Sequence, residues 1–220
     1  WKATVRPGAP LLVFDGVRPE LAHRAADYAE YTRRALWLAN TRWHNVVPLV
    51  LDDWHHQAGA VRIGLDEVRS PYVVLVEHDT PLTGAIDWPG IVTALDGNAL
   101  DVVRLHHETA IGDHHAHMML DCGEVTDGPI PYVRTYQWSQ RPHVARVGWY
   151  RRLLELHFAP QARAMIEDAL HGVVATAWLD HGEAGWERFR VGIYAPEGNI
   201  QRSLHLDSRR RVVGEESTGD

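Results

Sequence analysis

Cysteine is almost missing from this 220-residue chain, with Cys122 alone. One thiol excludes an intramolecular disulfide and any cysteine-rich zinc site, and it makes the cytoplasm the expected compartment. Long apolar runs are missing too. None approaches the ~18 residues that span a bilayer, and no signal peptide is visible. Positive charge is in the minority, with 22 Lys and Arg against 29 Asp and Glu and a formal net charge of −7. That balance excludes a broad nucleic-acid or anionic-membrane surface while leaving room for a local basic cleft. The P-loop and dinucleotide-binding fingerprints are absent, and so are an HExxH pattern, an internal repeat and any linker that would separate domains.

Hydrophobic content of 45% and charged content of 23% are those of an ordinary globular protein, long enough for one sizeable α/β domain or for two very small ones. Histidine, at 15 residues, and tryptophan, at 9, are abundant. Indoles supply stacking surfaces for a sugar or a base, and imidazoles supply metal ligands.

Leu11-Leu12-Val13-Phe14 is a continuous apolar run closed by Asp15-Gly16, the pattern of a buried strand entering a turn. Pro19 and Glu20 suit a helix N-terminus, and Leu21, Ala25, Tyr28, Thr32, Ala35 and Leu36 recur at helical spacing to about Ala39. A strand over 46–51 follows, with Pro48 marking an edge or irregular position. A helix over about 58–68 leads to Tyr72-Val73-Val74-Leu75-Val76, the best buried strand in the chain. A helix near 88–95 then leads to a strand over 101–105. This alternation predicts an α/β fold with a mostly parallel sheet between helices, binding ligands beyond the carboxyl ends of its strands. The later part is less regular. Strands over 117–121 and 132–137 flank a loop at 122–131; helices over 147–157 and 160–177, a strand over 188–195 and a loose charged tail from Arg209 follow.

Glu77-x-Asp79 comes directly after the best strand. Carboxylates there stand at the ligand-binding edge, spaced so that both can face one hard cation and its phosphates. Such a cation offsets the charge of a departing diphosphate.

The order of the surrounding pieces resembles the GT-A-type glycosyltransferases of family 2. Leu11 to Gly16 looks like their second strand, ending in an Asp, here Asp15, that contacts the nucleotide base. Gln57-Ala58-Gly59-Ala60-Val61-Arg62-x-Gly64 resembles their Gly/Ala-rich helix start, whose Arg approaches the donor. Tyr72 to Asp79 resembles the strand carrying the DxD motif, with Glu77 departing from consensus at its first acid. Gly148-Trp149-Tyr150-Arg151-Arg152 looks like the segment opening the acceptor side. Met165-Ile166-Glu167-Asp168 resembles the xED motif, whose Asp is usually the catalytic base of inverting members. A sugar hydroxyl is a poor nucleophile, so a placed carboxylate must take its proton. His205 resembles the C-terminal His that completes the metal site, and Arg202 is a fixed cation suited to a diphosphate.

The resemblance implies one domain of Rossmann-like GT-A type, with a smaller mixed acceptor-side region. Its nucleotide-sugar-binding half covers about 1–107 and its acceptor and catalytic half about 108–208. It implies a nucleoside-diphosphate sugar donor held by Asp15, Arg62, Glu77, Asp79 and Arg202, and Mn²⁺ or Mg²⁺ held by Asp79 and His205. The chemical step falls to Asp168 with Glu167, and Trp138, His143, Trp149 and Trp186 are the aromatic groups available to a hydroxyl-bearing acceptor. The family also opens with a strand ahead of Leu11, for which Thr4-Val5 is too short. Either that strand lies upstream of Trp1, or the chain departs from the family there.

Three other readings compete. A sugar-phosphate nucleotidyltransferase shares a related sheet and acidic metal ligands, but normally shows a Gly-rich basic N-terminal loop. A metal hydrolase would use His106-His107 or Asp113-His114-His115-x-His117, where His115 and His117 share a face if the segment is a strand. A non-catalytic sugar- or nucleotide-binding module would keep the aromatic residues without needing Asp168.

Overall fold

The computed structural model describes residues 8–43 and 45–206. Thr4-Val5 and the charged tail from Arg209 lie outside the described residues. In chain order the first elements are β1 (Leu11–Phe14), α1 (Ala25–Thr41), β2 (Val47–Val50), α2 (His56–Glu67), β3 (Tyr72–Leu75), α3 (Trp88–Asp96) and β4 (Val102–Arg104). Then come α4 (Asp113–Ala116), β5 (Val125–Thr126), β6 (Tyr132–Arg134), β7 (His143–Arg146), α5 (Val147–His157), α6 (Ile166–His181), α7 (Glu183–Trp186) and β8 (Val191–Tyr194). The chain divides into two compact units. Unit 1 holds the residues up to Val73 with Ala145–Thr176, and unit 2 holds Val74–Val144 with the residues from Ala177 on.

In unit 1, β1 and β2 pair in parallel, with Leu11 opposite Val47 and Phe14 opposite Val50. The crossover between them is a 3-10 turn at Pro19–Arg24 followed by α1. Proline's fixed φ suits the first position of that turn. α1 buries Thr32, Ala35 and Ala39, spaced three and four residues apart, and so turns one stripe inward. Small residues let α2 lie close to β1: a Cβ added at Gly64 would stand 3.3 Å from a Val13 methyl. α5 contacts α2 and buries Val147, Tyr150, Leu153 and Leu154, again one helical face.

In unit 2, β4 runs parallel to β8, while β6 is antiparallel to both β8 and β5. The larger sheet, in the order β3-β7-β4-β8-β6-β5, is therefore mixed, and β1 and β2 form a two-stranded sheet of their own. Val102, Val103, Leu105, Val191 and Ile193 are buried, as continuous apolar strands covered on both faces must be. Asp101, 1% exposed, is held by Arg190 at 2.8 Å, so its buried charge is paired. α3 begins where Asp87 accepts the Gly90 amide at 2.9 Å, an N-cap beside Pro89.

The α/β class and most expected elements are present, but the larger sheet is mixed rather than mostly parallel. β3 is not the best buried strand, since Val74 and Val76 are exposed, and several segments differ. Residues 117–121 are not a strand. Asp113–Ala116 is one helical turn, only Met119 bridges to Thr135, and Asp121 and Cys122 take left-handed φ values of 52° and 54° that end any extension. The helix expected from Pro160 begins at Ile166, whose amide donates to Gln57 Oε1 at 2.7 Å. β5, β7 and α7 have no counterpart in the expected elements.

Candidate functional site

In unit 2 the last described segment is laced to two loops by backbone hydrogen bonds. The Arg202 and Ser203 amides donate to the His106 carbonyl, just beyond β4, at 2.7 and 2.9 Å. The Leu204 amide donates to Pro81 at 2.9 Å and the Leu206 amide to Asp79 at 2.7 Å, while Thr83 donates back to Arg202 at 3.0 Å. Ser203, fully buried, adds its hydroxyl to the Leu105 carbonyl at 2.9 Å. The loop beyond β3 is itself fixed. Thr80, 2% exposed, donates its amide and hydroxyl to the Glu77 carbonyl and accepts the Glu77 amide at 3.1 Å.

This lacing sets His205 Nε2 3.6 Å from Asp79 Oδ2. The other oxygen, Asp79 Oδ1, is buried without a hydrogen-bond partner among the described residues. An unmet buried carboxylate oxygen is costly in a protein alone and fits a cation. The 3.6 Å gap is one that two donors at about 2.1 Å from a single cation can span. Among the described residues no group of three His, Cys, Asp or Glu is arranged to hold a metal, and Asp79 and His205 are the two possible donors that come together here.

Other histidines surround it. The His107 ring lies edge-on to His205 at 6.4 Å and tilted against His106 at 5.2 Å. Glu108 reaches both, with Oε1 3.6 Å from His107 Nε2 and Oε2 3.8 Å from His106 Nε2. Burial pushes His106 down to about 4, with Arg104 adding to the effect. Burial and then Arg141 push His107 down to about 4, against the opposing pull of Glu108. Both rings are therefore neutral at pH 7. His114 and His115 lie in α4 with their rings tilted and centroids 4.0 Å apart, so His115 and His117 do not alternate along a strand, which removes the geometry on which that metal-hydrolase pairing rested.

The remaining expected site residues divide between the units. In unit 1, Asp15 accepts the His55 and His56 amides at 2.7 and 2.8 Å and so caps α2. Arg62 donates to the carbonyls of Leu154, Phe158, Ala159 and Pro160 at 2.7–3.2 Å, which closes the C-terminus of α5. Glu167 and Asp168 stand in the first turn of α6, Glu167 half-buried and Asp168 exposed. Trp149 is half-buried beside Tyr150, ring centroids 6.2 Å apart.

In unit 2, Glu77 belongs to the turn described above. Arg202 Nη1 donates to the Asn199 and Gln201 carbonyls, and the guanidinium lies 5.5 Å over Tyr194. Trp138 and His143 are each 1% exposed and pack edge to face at 5.8 Å, so both rings are core surfaces here. Trp186 is buried under the Arg134 guanidinium, 4.0 Å from its ring, and lines a cleft of about 590 Å³ with Tyr132, Glu187 and Arg190. No family model matches the chain, and no curated protein matches it.

Proposed function

We propose that the protein is a metal-dependent glycosyltransferase of GT-A type, family 2-like, which moves a sugar from a nucleoside-diphosphate sugar to an acceptor hydroxyl in the cytoplasm. The observation that carries this reading is the approach of His205 to Asp79, with a buried, unmet carboxylate oxygen beside it. Mn²⁺ or Mg²⁺ held there by Asp79 and His205 would offset the charge of the diphosphate as its bond to the anomeric carbon breaks. Glu77 and Arg202, on the two segments laced together, are the groups proposed to steady the donor. Asp168, exposed at the start of α6, is the proposed base. It takes the acceptor hydroxyl's proton as that oxygen attacks the anomeric carbon, giving inversion. Glu167 stands next to it, and Trp149 is the acceptor-side aromatic that retains exposure in unit 1. No helix among the described residues is long and apolar enough to cross a membrane.

Calorimetric titration of a nucleoside diphosphate tests the metal site. Mn²⁺ is expected to raise affinity about tenfold or more, and Asp79→Ala to abolish that gain. Equal affinity with and without the ion in the wild type overturns the site. For the chemical step, Asp168→Asn is expected to keep donor binding and lower transfer by about a hundredfold or more, the usual share of a positioned base. Full turnover removes Asp168 from the mechanism. Release of pyrophosphate from a nucleoside triphosphate and a sugar phosphate replaces the reading with nucleotidyl transfer.

A further inference from the structure

Unit 1 carries a cationic cluster that the proposed reaction leaves unused. Because β1 and β2 are parallel, the loops that follow them leave from one edge of their sheet. Trp54, half-buried in the second loop, gathers two guanidinium groups: Arg18 Cζ lies 5.2 Å from its ring centroid and Arg163 Cζ 5.5 Å. Arg18 Nη2 is 3.3 Å from His56 Nε2, and the His56 ring tilts against Trp54 at 5.3 Å.

Both arginines are exposed, and among the described residues neither forms an ion pair with a carboxylate. Asp52 and Asp53, in the same loop, pair with neither, and Asp15 is engaged by backbone amides. Some other arginines have a carboxylate partner, Arg33 and Arg34 in Glu30, Arg134 in Asp121 and Arg190 in Asp101, whereas Arg62 and Arg202 are taken up by backbone carbonyls. Two like charges on one indole, each attracted by the ring face and neither ion-paired with an acid, leave their outward N–H groups available to an anion.

We infer that Arg18 and Arg163, held by Trp54, form an anion site in unit 1 that takes a phosphoryl group. Two guanidinium forks offer more donors than one carboxylate accepts, and a phosphoryl group supplies three oxygens and a charge near −2. The nearby N-terminus of α2 contributes nothing. Its His55 and His56 amides go to Asp15, its Gln57 amide to His56 Nδ1 at 2.8 Å, and its Ala58 amide to the Ala164 carbonyl at 3.1 Å. The anion is therefore held by side chains. This site is independent of the transferase reading, because it uses none of that reaction's residues and no metal.

Calorimetry in EDTA tests it, with inorganic pyrophosphate, inorganic phosphate, a nucleoside monophosphate and the matching nucleoside as probes. The phosphate-bearing probes are expected to bind and the bare nucleoside not. Affinity is expected to fall as ionic strength rises, because the cations are exposed. Arg18→Ala and Arg163→Ala are each expected to weaken binding about tenfold. Lys at either position keeps the charge without the fork, and is expected to bind between Ala and wild type; it also serves if the Ala variants melt early. A nucleotide that binds far more tightly than pyrophosphate identifies a nucleotide ligand, and equal affinities identify the phosphoryl group alone. Absence of phosphate binding, or binding unchanged in well-folded variants of both arginines, overturns the site.

Discussion

Asp15 shows how one residue type can serve two purposes that look alike in sequence. An acid at the end of a strand suits a nucleotide contact, yet here both oxygens hold the first amides of α2. The next residue makes this possible. A Cβ on Gly16 would stand 2.3 Å from the Asp53 carbonyl carbon, so only glycine lets the two loops touch. Asp15→Ala is expected to lower stability by about 1–2 kcal/mol, the worth of a helix cap, read from chemical denaturation. Asp15→Asn should keep part of it, and an unchanged midpoint in both variants would show the cap to be idle. Trp54 and its arginines were hidden for a related reason. Arg18, Trp54 and Arg163 are far apart in the chain, and only the fold puts them on one ring.

Elements were legible where one local signal sufficed. α3 follows from Asp87, Pro89 and an apolar face, and β8 from a run of buried apolar residues. β7 was not, because His143–Arg146 is four residues long, begins after Pro142 and has no period to read. Between elements, Arg62 ties α2 to the Leu154 carbonyl of α5 and to the carbonyls of Phe158, Ala159 and Pro160 just after it. Arg62→Ala is expected to cost about 2–3 kcal/mol, because several hydrogen bonds to one charged group are lost together. Denaturation midpoints measure this, and hydrogen exchange should show the loss concentrated at the end of α5. Unchanged stability would return Arg62 to ligand binding.

Across the whole molecule, buried histidine couples stability to pH. His143 is fully buried, donates Nδ1–H to the Arg141 carbonyl at 2.8 Å and is pushed down to about 4 by burial. His106 is shifted the same way. In the unfolded chain a histidine titrates near 6.5. Above that value neither state binds the proton and nothing changes. Between about 6.5 and about 4 the unfolded chain binds it and the folded chain does not, so stability falls as pH falls, by about 1.4 kcal/mol per pH unit for each ring at most. Denaturation at pH 7.5, 5.5 and 4.5 reads this slope, and His143→Gln should lessen it by the share of one ring, leaving that of His106. A flat profile in the wild type would place the ring in water.

The sequence by itself determined the α/β class, the positions of most strands and helices, and the acids and histidines from which a site could be drawn. Those follow from local periodicity and residue chemistry. Tertiary structure alone decided which of these residues meet. Backbone hydrogen bonds from the last described segment to loops beyond β3 and β4 bring His205 to Asp79, while the same folding commits Asp15 and Arg62 to helix ends and Trp138 and His143 to the core. The physical reason is that contacts between distant segments are set by packing and by the need to satisfy buried polar groups, and neither leaves a mark on the residues' neighbours in the chain.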